Sequence, residues 1–177
     1  MVDSYLDLID TLCEDAFTSL RGLSHDQVWR RPALKEWGIG EILKHIYLLT
    51  SSTFPYVKFS WKSLPWFGNW RRSKPHQTDI PDLYRDGKFP MWVGFLWTPR
   101  HPPRKPVPIE VLFKEMRDLH QRVRDFYSDK DEDLLGQIYL FHPYFEFLNL
   151  IVTQRLGAYH DQLHFNDVVY RADSIKI

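Results

Sequence analysis

The stretch that decides the fold is residues 142–172, HPYFEFLNLIVTQRLGAYHDQLHFNDVVYRA. Its apolar residues recur at steps of about four positions, which is the period of one face of an α-helix. The stripe consists of Leu148, Val152, Leu156, Tyr159 and Leu163. Proline is tolerated in the first turn of a helix, so we predict one long helix that begins at Pro143.

Three further segments carry the same helical period. The predicted helices run from about residue 3 to 21, from about Ile39 to at least Ser52, and from about Pro108 to Tyr127. Gly22 is a natural stop for the first helix, and Pro55 should disturb the second. Ser24 and Gln27 have the spacing of a capping box, which indicates a short helical turn before Pro32.

No segment shows a convincing strand-like alternation, and no internal repeat is present. Four long helices without strands predict an all-α protein, a four-helix bundle formed by a single domain over residues 1–177.

Residues 54–107, here called the cover segment, differ in composition from the rest of the chain. They contain nine of the 12 prolines and ten basic residues against three acidic ones. We predict an irregular crossover between the second and third long helices. Its five tryptophans argue against a disordered linker, because disordered segments are poor in aromatic residues. We therefore expect an ordered loop packed over the bundle.

The chain has 23 basic and 23 acidic residues, so its total charge gives it no attraction to nucleic acid or to an acidic membrane. Cys13 is the single cysteine, which excludes an intramolecular disulfide. The first residues lack the basic start and apolar run of a signal peptide. These features predict a cytoplasmic protein that acts on a small molecule.

His160 and His164 are four residues apart on the predicted fourth helix, so both imidazoles can reach one metal ion. In a zinc protease the motif would be His-Glu-x-x-His, but here Asp161 replaces the glutamate and points about 100° around the helix. Asp161 can either support a ligand histidine or remain a solvated charge. Gly157, one turn earlier, leaves room for a ligand to approach the backbone.

A catalytic zinc site typically has three protein ligands. His45 lies on or beside the buried stripe of the second helix and is the first candidate for the third ligand. The alternative is a core-edge histidine that bonds a backbone carbonyl. His120, near the buried stripe of the third helix, is the reserve candidate.

Two stretches resemble the DinB/YfiT-like family. The first is RRPALKEWGIGEILKHIYLL, where a tryptophan precedes a helix that starts with small residues and a histidine follows within that helix. The matching residues here are Trp37, Gly38, Glu41 and His45. In the C-terminal stretch, a His-Pro pair precedes the His-x-x-x-His pair by about five turns. The family's usual glycine after His-Pro is replaced in this chain, where Glu146 and Phe147 occupy that neighbourhood.

The resemblance implies a four-helix bundle, often a homodimer, that holds a divalent metal such as zinc or nickel on His45, His160 and His164. Relatives include bacillithiol transferases and a mycothiol-dependent isomerase, and many members are called metal-dependent hydrolases. Two enzymatic routes follow, in which the metal activates either water or a low-molecular-weight thiol. A non-catalytic metal- or ligand-binding bundle, related to stress responses, is the alternative.

The cover segment offers a possible site for an acidic cosubstrate. Arg71 and Arg72 could bind its carboxylates, and Trp70 could line the apolar part of the pocket. The competing interpretation is that these are solvated loop charges and core-closing aromatics. The same alternatives apply to Trp66, Lys74, Trp97, Arg100, Arg104 and Lys105.

Overall fold

The structure is a computed structural model that describes residues 1–34, 36–85, 87 and 105–176. Within these ranges four helices are long and three are short, and a β-hairpin precedes the last long helix. In chain order the elements are α1 (Val2–Ser19), α2 (His25–Trp29), α3 (Ile39–Ser63), α4 (Pro65–Arg71), α5 (Ile109–Tyr127), α6 (Glu132–Leu135), β1 (Tyr139–His142), β2 (Glu146–Asn149) and α7 (Leu150–Lys176).

The long helices close into a ring. Helix α1 packs against α5 and α7, and α3 packs against the same two helices from the other side. The predicted four-helix bundle is therefore confirmed. Its apolar core has one cluster that includes Leu43, Phe113 and Phe165, and a second that includes Phe54, Leu135 and Ile151. Within the described ranges, no helix is long and apolar enough to cross a membrane.

Residues 1–29 fold as their local signals predict. Helix α1 ends at Ser19, and Gly22 follows with a φ of 87°, a left-handed conformation that glycine adopts without strain. At α2, the Ser24 hydroxyl accepts from the backbone N–H of Gln27, and the Gln27 side chain accepts from the backbone N–H of Ser24. The predicted capping box is present.

Helix α3 continues through Pro55 to Ser63, so the expected break at this proline is wrong. A proline inside a helix costs about 3 kcal/mol because it removes a backbone donor and crowds the preceding turn. The turns around Pro55 bury Phe54 and Val57 in the second core cluster. Burial of two such side chains contributes roughly 1.5–3 kcal/mol each, enough to offset the proline.

The predicted helix start at Pro143 is also wrong, because residues 139–149 form an antiparallel hairpin. Tyr139 pairs with Asn149, and His142 pairs with Glu146. His142 holds the turn: its Nδ1 accepts from the backbone N–H groups of Tyr144 and Phe145, at 3.2 Å each. The His-Pro pair therefore opens a hairpin turn, and α7 begins seven residues later than predicted.

Asn149 sets the start of α7. Its side-chain oxygen accepts from the backbone N–H of Val152 at 2.9 Å, which satisfies one of the free donors of the first helical turn. Its side-chain nitrogen donates to the carbonyl of Gln77 at 2.6 Å. The same buried residue thus caps α7 and ties the cover segment to it.

The cover segment is partly helical, which corrects the prediction of an irregular stretch over residues 54–107. Residues 54–63 belong to α3, and α4 follows immediately. Beyond α4, Ile80 is buried against Leu148, Val152 and Leu156, so this part of the segment does pack over α7. Residues 88–104, with Trp92, Trp97, Arg100 and Arg104, lie outside the described residues.

Candidate metal centre

His45, His160 and His164 meet in the interior of the bundle. Their candidate ligand atoms all lie within 4.8 Å of one another, and they form the one such group of three in the described part of the chain. The Nε2 atoms of His45 and His160 are 3.0 Å apart. The structure thus brings together the three residues that the sequence singled out.

Helix geometry explains the cluster. His160 and His164 are one turn apart on α7, and their ring centroids are 4.5 Å apart. Helix α3 packs on α7 and presents His45 between them, with ring centroids 5.0 Å from His160 and 4.9 Å from His164.

The three side chains are nearly withdrawn from solvent, with exposures of 4% for His45, 5% for His160 and 9% for His164. Burial, together with the neighbouring His160 and His45, lowers the pKa of His164 from 6.5 to about 2. His164 is therefore neutral at physiological pH and offers a nitrogen lone pair. Clustered buried imidazoles suit a divalent cation, since nitrogen ligands of this kind bind zinc, copper, iron and nickel.

Asp161 contacts one of the three histidines directly. Its Oδ1 lies 2.9 Å from Nδ1 of His160, and the residue is only 4% exposed. Of the two possibilities left open by the sequence, a solvated charge is therefore excluded. The carboxylate engages the Nδ1 edge of the ring, while Nε2 of His160 faces His45.

Two aromatic residues pack against the imidazoles. The Trp37 ring centroid lies 5.1 Å from that of His45 and 6.4 Å from that of His164. Tyr84 meets the His160 ring edge-on at 5.6 Å. Burial raises the pKa of Tyr84, so its phenol stays protonated. Sequence reasoning missed Tyr84, because the cover segment has no periodicity that would place it near α7.

A buried ion pair fixes the start of α3, the helix that carries His45. The Glu41 carboxylate, 1% exposed, accepts from Nε and Nη2 of Arg31 at 2.7 and 2.6 Å. It also accepts from the backbone N–H of Gly38 at 2.9 Å, where it satisfies a free donor of the first turn. The resemblance named Glu41 without giving it a role, and the structure supplies one.

His120, the reserve ligand, lies outside the cluster. It is on α5, and its Nδ1 is 3.4 Å from Oδ1 of Asp10 on α1. The two residues border a cavity of about 170 Å³, which is lined by Asp10, Cys13, Glu14, Arg117, His120 and Gln121. Cys13 itself is 1% exposed, and burial raises its pKa to about 12. Cys13 is therefore a core thiol.

The cosubstrate residues proposed on the cover segment are not brought to the histidines. Helix α4 packs on α6, where Nε of Arg71 donates to Gln137 at 3.3 Å and Arg72 pairs with Asp131. Trp70 is 68% exposed. Because α3 extends 18 residues past His45 at 1.5 Å per residue, α4 begins roughly 27 Å along the bundle from the cluster.

Comparison with known proteins relates the chain to one family and to solved structures. The family model described as the DinB superfamily matches residues 9–168. Among solved structures, the chain is similar to YfiT from Bacillus subtilis, described as a probable metal-dependent hydrolase with an unusual four-helix bundle topology. The TM-score is 0.64 at 11% identity, covering 99% of this chain and 87% of that chain. At this identity the likeness shows the fold. No curated protein matches the sequence.

Proposed function

Because the chain belongs to the DinB superfamily, we propose that it is a metal-dependent enzyme whose divalent cation is held by His45, His160 and His164. The observation that carries the proposal is the convergence of three buried histidines, with candidate ligand atoms within 4.8 Å of one another. Three protein ligands leave a coordination position for substrate, as in catalytic zinc sites.

The charge of the site supports a cation. Asp161 places a carboxylate in the protein interior, and its hydrogen-bond partner among the described residues is His160. A buried charge costs several kcal/mol unless an opposite charge compensates it. His164 is held neutral, so a divalent cation on the three histidines is a natural counterion.

When bound, the cation supplies Lewis acidity that can activate either water for hydrolysis or a low-molecular-weight thiol for transfer to an electrophile. The protein's own residues orient the reaction. Trp37 and Tyr84 pack against the imidazoles and restrict the access of water. The hydrolytic route is favoured by the fold shared with YfiT, which is described as a probable hydrolase.

The remaining expectations from the sequence are part of the same proposal. Zinc or nickel is the expected metal, because both accept imidazole ligands. The substrate is a small molecule, the protein is cytoplasmic, and two chains form a homodimer. Light scattering coupled to gel filtration measures whether the protein is a homodimer.

A non-catalytic metal-binding bundle is the second candidate. It is favoured by the burial of all three histidines, each with less than a tenth of its surface exposed. A resident cation in such a site would exchange slowly and would not be accessible to substrates.

An activity screen separates the two functions. The untagged protein is loaded with zinc or nickel and assayed with activated esters and amides, and with small thiols paired with electrophiles. We expect turnover that is lost after chelation, restored by the metal, and absent in His160→Ala. If the loaded protein binds metal tightly but turns over none of these substrates, the binding bundle is the better description.

A further inference from the structure

We propose that Asp161 is a positioning residue, which fixes His160 in the tautomer that can bind a cation and supplies the negative charge that the site needs. This inference rests on the proposed function, because it concerns the same three histidines. Asp161 stands at the position that the glutamate occupies in the zinc-protease motif. In the structure its carboxylate contacts His160 instead.

The hydrogen bond determines the tautomer of His160. A neutral imidazole has one N–H donor and one acceptor nitrogen. The Asp161 carboxylate only accepts, so Nδ1 of His160 must carry the hydrogen in the 2.9 Å contact between them. Nε2 is then left with its lone pair, and this atom is 3.0 Å from Nε2 of His45. The acceptor nitrogen is thus directed into the cluster.

A cation would also compensate the buried negative charge of the carboxylate. Asp161 is only 4% exposed, and its hydrogen-bond partner among the described residues is His160. A carboxylate behind a ligand histidine is a common arrangement in metal proteins, where it raises the basicity of the ring and orients it.

The same geometry removes Asp161 from the role of general base. In the protease motif the glutamate acts on water at the metal. Here Oδ1 is engaged with the Nδ1 edge of His160, the edge that does not face His45. Asp161 therefore acts through His160 rather than on the substrate.

The test compares Asp161→Asn and Asp161→Leu with the wild type. The matched control is Asp173→Asn on the same helix, where the side chain is 65% exposed. Zinc dissociation constants are measured by competition with a chromophoric chelator. Loss of a residue that supports a metal ligand typically weakens binding by about 10–100-fold. We expect a loss of this size for Asn, a larger loss for Leu, and no change for Asp173→Asn.

A second readout does not require metal. In the metal-free wild type, ¹⁵N NMR should show His160 with hydrogen on Nδ1, and Asp161→Asn should change the tautomer population. Asp161→Glu, which keeps the charge, should recover part of the affinity. If Leu fails to fold, the near-isosteric Asn variant keeps the test valid.

Two outcomes would overturn the inference. The first is a folded Asp161→Asn variant that binds zinc as tightly as the wild type. The second is a wild type in which His160 carries its hydrogen on Nε2. A third result separates this inference from the proposed function. If the wild type shows the expected tautomer but binds no metal, the proposed function and the cation-holding role are contradicted. The contact between Asp161 and His160 would still stand.

Discussion

The Nε2 atoms of His45 and His160 lie 3.0 Å apart, although 115 positions separate the two residues in the chain. The contact exists because α3 and α7 pack directly on each other. Its geometry therefore depends on what anchors each helix, and the anchor of α3 is the ion pair between Arg31 and Glu41.

We expect Arg31→Met to destabilise the protein by about 3 kcal/mol, the lower end for breaking a buried ion pair, because Arg31 keeps 17% exposure. Among the described residues, the Gly38 N–H would then be the remaining hydrogen-bond donor to the buried Glu41 carboxylate. Zinc affinity should fall as well, since the ion pair fixes the start of α3 and His45 lies six residues after Ile39 in the same helix. Chemical denaturation and metal titration measure the two effects.

The double variant Arg31→Met/Glu41→Leu checks this explanation. Removal of both partners of a buried pair is often close to neutral. The double variant should therefore be more stable than Arg31→Met alone. If the double variant loses as much free energy of unfolding as Arg31→Met and Glu41→Leu lose in total, the two residues act independently.

Gly40→Ala and Gly157→Ala should have opposite effects on stability. A Cβ at Gly40 would lie 2.5 Å from the Trp29 ring, whose Nε1 donates to the carbonyl of Val107. Overpacking of this kind costs about 1–3 kcal/mol. A Cβ at Gly157 meets no atom within 4 Å in the described structure, and alanine is favoured over glycine in a helix by roughly 0.5–1 kcal/mol.

Thermal unfolding of the two metal-free variants gives the comparison. An unchanged Tm for Gly40→Ala would contradict the tight contact between α2 and α3. If Gly157→Ala is stabilised but loses activity, the open backbone at Gly157 is part of the substrate approach, as its place one turn before His160 suggested.

The metal-free protein should lose stability in mild acid. The pKa of His164 is lowered from 6.5 to about 2 in the folded protein, so the unfolded state binds an extra proton between these values. The free energy of unfolding then falls as pH decreases below about 6.5, by up to about 1.4 kcal/mol per pH unit from this residue. Denaturation from pH 7.5 to 5 in the presence of chelator measures the slope.

His164→Asn is the control for this titration, because asparagine cannot take up the proton. Its unfolding free energy should depend less steeply on pH than that of the wild type. Identical slopes for the two proteins would mean that His164 is not held neutral by burial.

The sequence predicted the parts of the fold that depend on one helix at a time. The apolar stripes locate the four long helices, and the four-residue spacing of His160 and His164 places them on one side of α7. Both proline-based boundaries failed. At Pro55 the burial of Phe54 and Val57 outweighs the local cost of the proline.

The wrong helix start at Pro143 and the overlooked site residue Tyr84 both result from contacts between distant segments of the chain. The hairpin at residues 139–149 forms because its strands pair and because Asn149 caps α7 with its side-chain oxygen, while its side-chain nitrogen donates to the carbonyl of Gln77. Tyr84 approaches His160 only because its segment packs across α7 near Ile80. Neither arrangement leaves a periodic pattern in the sequence.

The central claim is that His45, His160 and His164 hold one divalent cation. Its most direct test is elemental analysis of untagged protein after incubation with zinc, nickel or manganese and gel filtration. The wild type and the control His120→Ala should retain a metal ion, whereas His45→Ala and His160→Ala should lose it. A wild type that retains no more metal than His160→Ala would contradict the claim.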